Sequence, residues 1–98
     1  MLLKNLIPDV NKKFADIEIS GITSDSRLVK AGYAFVCISG VTGDGHDYAD
    51  SAVNKGAAVV ISEHSTGVAN EIIVSDTREI YADMCATWLA ILQMTLSL

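Results

Sequence analysis

Gly32-Tyr33-Ala34-Phe35-Val36-Cys37-Ile38-Ser39-Gly40-Val41-Thr42-Gly43-Asp44-Gly45-His46-Asp47-Tyr48 is the stretch whose reading decides the fold. Its first half, Tyr33 to Ile38, is a continuous apolar run bounded by Gly32 and Gly40, which suits a strand covered on both faces. Its second half, Ser39 to Asp47, reads as a Gly-rich loop. A helix is expected to follow, with Ala49, Ala52 and Val53 on one face and Gly56 as the left-handed residue just past its end. Further out, Ala57 to Ile61 and Ile72-Ile73-Val74 read as two more apolar strands. Upstream, Leu2, Leu3, Leu6 and Ile7 mark one side of a short helix that Pro8 ends. Ile17-Glu18-Ile19-Ser20 alternates with period two, and Ile22 continues it after Gly21, so a half-buried strand is expected there. Downstream, Asp76 caps a last helix, with Glu79 three residues on in capping-box position. Ile80, Met84, Trp88 and Ile91 then repeat at spacings that make Trp88 a core or groove residue. The order predicts an α/β domain: a small mixed, partly parallel sheet flanked by helices. A right-handed crossover through residues 47–56 places the Gly40–Gly45 loop at the C-terminal end of its strand, where open α/β sheets bind ligands.

The chain has 98 residues, 12 acidic against 7 basic side chains and 50% hydrophobic residues. That is one small domain with ample material for a core. A net charge of −5 argues against broad nucleic-acid binding, which needs a basic footprint. Cys37 and Cys85 lie far apart with no metal-ligand spacing around them, so free thiols and no metal site are expected. No basic segment followed by an apolar one opens the chain, and the expected compartment is the cytoplasm. Ala86 to Leu98 is apolar but interrupted by Thr87, Gln93, Thr95 and Ser97, too short and too polar to span a bilayer.

Two segments carry the candidate chemistry. Thr23-Ser24-Asp25-Ser26-Arg27 gathers hydroxyls beside one of two arginines, the fork-shaped donor suited to phosphate. Its plainer reading is a side-chain-capped turn with Arg27 paired to a surface acid. The Gly40–Asp47 loop has three glycines that allow positive φ and close approach of a ligand. It is not a P-loop, because no lysine lies between Lys30 and Lys55. His46 reads as a hydrogen-bonded turn residue, and His64 is assigned no role. No nucleophile elbow, carboxylate pair or metal spacing appears, so no catalytic residue is assigned and a binding module is the better reading.

The order Asp25-Ser26-Arg27, Gly32-Tyr33-Ala34-Phe35-Val36, Gly40-x-x-x-Asp44-Gly45-His46-Asp47-Tyr48 and Ala52-x-x-x-Gly56-Ala57-Ala58-Val59-Val60 resembles the N-terminal domain of the Mur ligases of bacterial peptidoglycan synthesis. The nearest branch is MurE, with MurF similar. Val74-Ser75-Asp76-Thr77-Arg78 and the helix to Trp88 fit as well. The resemblance implies a UDP-binding domain over residues 1–88 that holds the UDP part of UDP-MurNAc-dipeptide. Carried over, the contacts fall on Ser26 and on Val41, Thr42 and Gly43, mainly through backbone in the triplet, with Arg27 as a further donor. It also implies ATP and magnesium in a central domain, and an amino-acid site in a C-terminal one.

Residues 89–98 depart from that pattern. Leu89-Ala90-Ile91-Leu92-Gln93-Met94-Thr95-Leu96-Ser97-Leu98 contains neither the proline connection nor the Gly-Thr-Asn-Gly-Lys-Thr loop that follows in the family. The expectation is a truncated ligase, inactive alone, with an apolar tail. A homodimer through residues 88–98 is expected to cover that tail. The competing readings are the same domain of a MurF ligase and a self-associating fragment with no ligand.

Overall fold

The computed structural model describes residues 1–40 and 43–96, of which 40, 43 and 92–96 are described by their backbone alone. Four strands, β1 (Gly21–Thr23), β2 (Tyr33–Val36), β5 (Val59–Ser62) and β6 (Glu71–Ile73), form one sheet in the order β1-β2-β5-β6, parallel throughout. A hairpin of β3 (Ser39–Gly40) and β4 (Gly43–Asp44) stands apart from it. The antiparallel part of the expected mixed sheet therefore lies outside the main sheet. Helices α1 (Leu3–Leu6), α2 (Lys12–Ala15), α3 (Ala49–Asn54) and α4 (Thr77–Leu96) complete the fold.

The apolar runs are buried on both sides, as their composition requires. Ala34 and Val36 of β2, with Val59 and Ile61 of β5, meet Leu3, Leu6, Phe14 and Met84 from α1, α2 and α4. Phe35, Cys37 and Val60 point the other way, onto Val29 and onto Ala49 and Ala52 of α3. Successive side chains in a strand alternate between faces, so one unbroken apolar run supplies both layers. Fully burying a leucine- or phenylalanine-sized side chain contributes about 1.5–3 kcal/mol, and β2 does this on two faces at once.

Several expectations change. Ile17–Ser20 is not a strand of the sheet: Glu18 makes one isolated antiparallel bridge to Leu2, and Leu3 N–H and Ile19 N–H bond to Ile17 and Met1 carbonyls. The sheet strand begins instead at Gly21, over which the Tyr33 ring lies so closely that a Cβ would sit 2.5 Å from it. The helix after the hairpin is shorter than expected, because Gly45–Tyr48 first makes a 3-10 turn. Its face is narrower too, since Ala49 and Ala52 are buried but Val53 is 41% exposed. Gly56 has φ +103° and closes α3 as foreseen, and a Cβ there would meet the Ala31 backbone at 2.9 Å. The last helix, which in the family resemblance ends near Trp88 and which the Ile80–Ile91 repeat carries further, continues without a break to Leu96, so the first eight residues of the apolar tail belong to α4. No helix among the described residues is long and apolar enough to cross a membrane.

Candidate functional site

Because β1 and β2 are parallel neighbours, the segments that follow them, Ser24–Leu28 and Ser39–Asp44, leave from the same C-terminal edge of the sheet. The first is built by short-range capping. Thr23 Oγ1 accepts the Asp25 N–H at 3.0 Å, and Asp25 Oδ1 accepts the Arg27 N–H at 2.9 Å, which starts a 3-10 turn over Ser26–Leu28. The Arg27 guanidinium donates to both Asp25 oxygens, at 3.1 and 2.8 Å. Those hydrogen bonds hold the Asp25 carboxyl down at about 2. The turn thus has the plainer of its two geometries, with Arg27 engaged by an adjacent acid while its side chain stays 85% exposed. An anion at this position would share the guanidinium fork with Asp25. Lys55, which sequence reasoning passed over, reaches the same turn from the end of α3 and donates from Nζ to the Ser26 carbonyl at 2.8 Å. Two cationic groups therefore flank Ser26.

The second segment is a hairpin in which Ser39 pairs with Asp44 and Gly40 with Gly43. Val41 and Thr42, two of the expected ligand residues, lie outside the described residues; Ser26, Arg27 and Gly43 all stand on the C-terminal edge. Gly45 works differently from the sequence reading. It opens no space for a ligand; it lets the chain close onto the end of β2, where its N–H bonds to Ile38 O at 2.9 Å. A Cβ there would lie 2.6 Å from the Ile38 nitrogen.

His46 is a turn residue with both ring nitrogens in use. Nε2 accepts the Glu63 backbone N–H at 2.9 Å, so it carries no proton. In the neutral ring the proton then sits on Nδ1 and is donated to Asp44 Oδ1 at 2.5 Å. The same Asp44 oxygen accepts the His46 backbone N–H at 3.0 Å, and these two bonds draw the Asp44 carboxyl below the usual range. His64, assigned no role from the sequence, stacks on the His46 ring with centroids 4.1 Å apart. Asp44, His46 and His64 bring three ligand-type atoms within 4.8 Å of one another, but the His46 hydrogen bonds leave that ring no lone pair for a metal ion.

Glu63 joins this cluster to α4. Its carboxylate accepts from the Thr77 N–H at 2.9 Å and the Thr77 hydroxyl at 3.1 Å, while Asp76 caps the Glu79 N–H at 3.1 Å. The acid at 76 was legible from the capping pattern. Glu63 was not, because its helix lies 14 residues further along the chain.

A groove of about 460 Å³ opens at the opposite end of the strands, between Ser20, Gly21, Ile22 and Tyr33 on one side and Cys85, Trp88 and Leu89 of α4 on the other. Trp88 both packs on the core and lines this groove.

Comparison with known proteins places the fold and its edge in context. The family model described as "Mur ligase family, catalytic domain" matches residues 18–94. The chain belongs to the Mur ligase family. Among curated Mur ligases it is 41% identical over 90 residues to the UDP-N-acetylmuramoyl-L-alanyl-D-glutamate--2,6-diaminopimelate ligase of Syntrophomonas wolfei subsp. wolfei, covering 89% of this chain and 18% of that protein. The ligase of the same name from Clostridium perfringens is 34% identical over 90 residues, covering 89% of this chain and 19% of its own length. The chain thus spans about a fifth of the length of these relatives. A solved structure of a ligase of that name superposes with TM-score 0.71 at 26% identity, covering 86% of this chain and 18% of its own. The MurF ligase of Thermotoga maritima, solved in complex with ADP, gives TM-score 0.61 at 28% identity over 69% of this chain and 16% of its own. The residues present here do not fit a magnesium nucleoside triphosphate: Gly40–Asp44 is a hairpin followed by a 3-10 turn, without the Gly-Lys-Ser/Thr entry into a helix that such a site uses.

Proposed function

We propose that this chain is the N-terminal, UDP-binding part of a MurE-type ligase and anchors the UDP portion of UDP-MurNAc-dipeptide in the cytoplasm. The observation that carries the reading is the shared edge: two motif segments, 25–27 and 40–44, follow adjacent parallel strands in a Mur ligase chain. Ser26 offers a hydroxyl to the ligand, and Arg27 and Lys55 supply local positive charge. Val41, Thr42 and Gly43 contribute backbone N–H groups, with the Thr42 hydroxyl in addition. In this reading residues 1–88 form the UDP-binding domain and residues 89–98 an apolar extension. ATP and magnesium belong to the parent ligase outside this chain, which carries no catalytic group of its own. Anchoring the remote UDP handle helps position the reacting carboxylate, as binding energy from distant substrate groups does.

A net charge of −5 opposes a diphosphate at long range, but charges separated by more than about 8 Å are largely screened at physiological ionic strength. Local donors therefore decide affinity, and binding by the isolated chain is expected to be weak and only moderately dependent on salt. Calorimetric titration with UDP-MurNAc-dipeptide tests the reading; saturable binding lost in Ser26→Ala supports it. Nanomolar affinity of the isolated chain would contradict the anchoring-only role.

A second reading, a homodimer through residues 88–98, is favoured by one observation: Leu89 stands 56% exposed beside the groove. Sedimentation at micromolar concentration distinguishes it. A monomer whose sedimentation behaviour reflects only its shorter length when residues 90–98 are removed would exclude the dimer.

A further inference from the structure

The two cations beside Ser26 differ in what they have left to offer an anion. Arg27 commits its fork to Asp25: Nε donates to Oδ1 at 3.1 Å and Nη2 to Oδ2 at 2.8 Å. Those bonds hold the Asp25 carboxyl at about 2, so at neutral pH one positive charge meets one negative charge within the turn and the pair cancels. Lys55 has no such partner. Among the described residues its ammonium makes no ion pair, and its side-chain hydrogen bond goes to the Ser26 carbonyl at 2.8 Å, which is uncharged. An ammonium has three protons to donate, so two remain available and the whole charge with them. Asp25, Arg27 and Lys55 together leave one positive charge over, on a chain whose net charge is −5.

The fold fixes where that charge stands. Val29, which follows the 3-10 turn, shares a core layer with Ala49 and Ala52 of α3. Gly32 N–H donates to the Gly56 carbonyl at 2.9 Å, and Gly56 lies so close to the Ala31 backbone that a Cβ would stand 2.9 Å from it. The end of α3 is therefore seated against residues 29–32, directly beyond the turn, and exposed Lys55 reaches Ser26 from a fixed base.

We infer that Lys55 is the residue of this site that meets the diphosphate, and that Arg27 is a structural clamp of the turn. The inference rests on the reading of Ser26 as a UDP contact and assigns the charges within it. A diphosphate at Arg27 has to share or displace a carboxylate already in place. At Lys55 it meets a compact point charge beside neutral groups.

The test uses the whole 98-residue chain with UDP as the probe, titrated by amide chemical shifts at low salt and in 1 M salt. Lys55→Gln keeps an amide donor and removes the charge from an exposed position. It is expected to weaken UDP binding at low salt roughly three- to fivefold, the range of an exposed charge pair. In 1 M salt, where the screening length falls to about 3 Å, most of that difference is expected to vanish. Lys55→Arg is expected to restore most of the affinity. Lys12→Gln, which removes the same charge from α2, controls for net charge and is expected to leave UDP binding unchanged. Asp25→Asn still accepts the Arg27 N–H but releases the guanidinium, and is expected to tighten UDP binding roughly two- to fivefold. Three results would each overturn the assignment: Lys55→Gln binding UDP as well as the unsubstituted chain, a loss as large in 1 M salt as at low salt, which would make Lys55 only a prop for the turn, or Asp25→Asn binding no more tightly. An unsubstituted chain that binds no UDP would overturn the functional reading and the assignment with it, whereas UDP binding indifferent to Lys55 leaves that reading standing and removes the assignment alone.

Discussion

The two ends of the parallel sheet are built from opposite materials. At the C-terminal edge, capped turns and the Asp44–His46–Glu63 relay bind polar groups to one another at 2.5–3.0 Å. At the N-terminal edge, Tyr33, Trp88, Leu89 and Cys85 leave an apolar groove of about 460 Å³. The groove offers the space, but the other end offers the donors, and a charged nucleotide is recognised by donors.

Thiol chemistry gives the largest contrast between exposed and buried positions. Cys85 lines the groove and is half-buried, whereas Cys37 is wholly buried, and burial pushes its thiol up to about 12. Alkylation of the native chain at neutral pH is expected to modify Cys85 faster than Cys37 by on the order of 100-fold or more. Equal rates by peptide mass analysis would mean that β2 is not enclosed on both faces. The sign for stability follows from the same shift: Cys37 titrates later folded than unfolded, so stability falls as pH rises above its ordinary value of 9.0 toward about 12.

Glycine substitution sharpens the comparison. A Cβ at Gly45 would meet backbone, the Ile38 nitrogen at 2.6 Å and the Cys37 Cα at 3.1 Å, while one at Gly21 would meet the far end of the Tyr33 ring at 2.5 Å. The Tyr33 ring can swing toward the groove; the end of β2 cannot move without its sheet. Gly45→Ala is therefore expected to cost about 2–3 kcal/mol and lower Tm by roughly 10 °C or more, and Gly21→Ala about 1 kcal/mol or less. Thermal unfolding of the two variants checks the order, and a larger loss at Gly21 would break it.

What the sequence made legible follows the range of the interactions. The run Tyr33 to Ile38 announced a doubly covered strand because both of its faces are apolar. Gly56 and Asp76 announced helix ends because caps are local. The start of β1 was misplaced because the Ile17–Ser20 alternation is the stronger local signal, while Gly21 is fixed by a residue 12 positions away. The Glu63–His46 bond spans 17 positions, and no pattern within either segment encodes it. At the C-terminal edge the capped turn of Asp25–Arg27 was legible from its motif, whereas residues 39–44 read as a Gly-rich loop, and the pairing of Ser39 with Asp44 and Gly40 with Gly43 makes them a hairpin. Lys55 was not legible, because it arrives from the end of a different helix.

The smallest expected effect lies at the Asp25–Arg27 pair. Its carboxyl is depressed from 3.8 to about 2 by the hydrogen bonds from Arg27, so the folded state holds fewer protons there than the unfolded chain. The stability this contributes is present above about pH 3.8 and is lost as pH falls toward 2. On an exposed turn the contribution is slight. Comparing acid unfolding of the chain with Asp25→Asn should show a small difference confined to that window, and a difference persisting unchanged below it would assign Asp25 another role.

One measurement bears on the central claim directly: titration of the ¹⁵N-labelled chain with UDP-MurNAc-dipeptide, followed by amide chemical shifts. The account predicts that the largest, saturable shifts fall on Ser24–Leu28 and on the Ser39–His46 segment, with Ser20–Ile22 and Cys85–Leu89 little changed. Shifts centred on the groove residues, or none at either end, would contradict it.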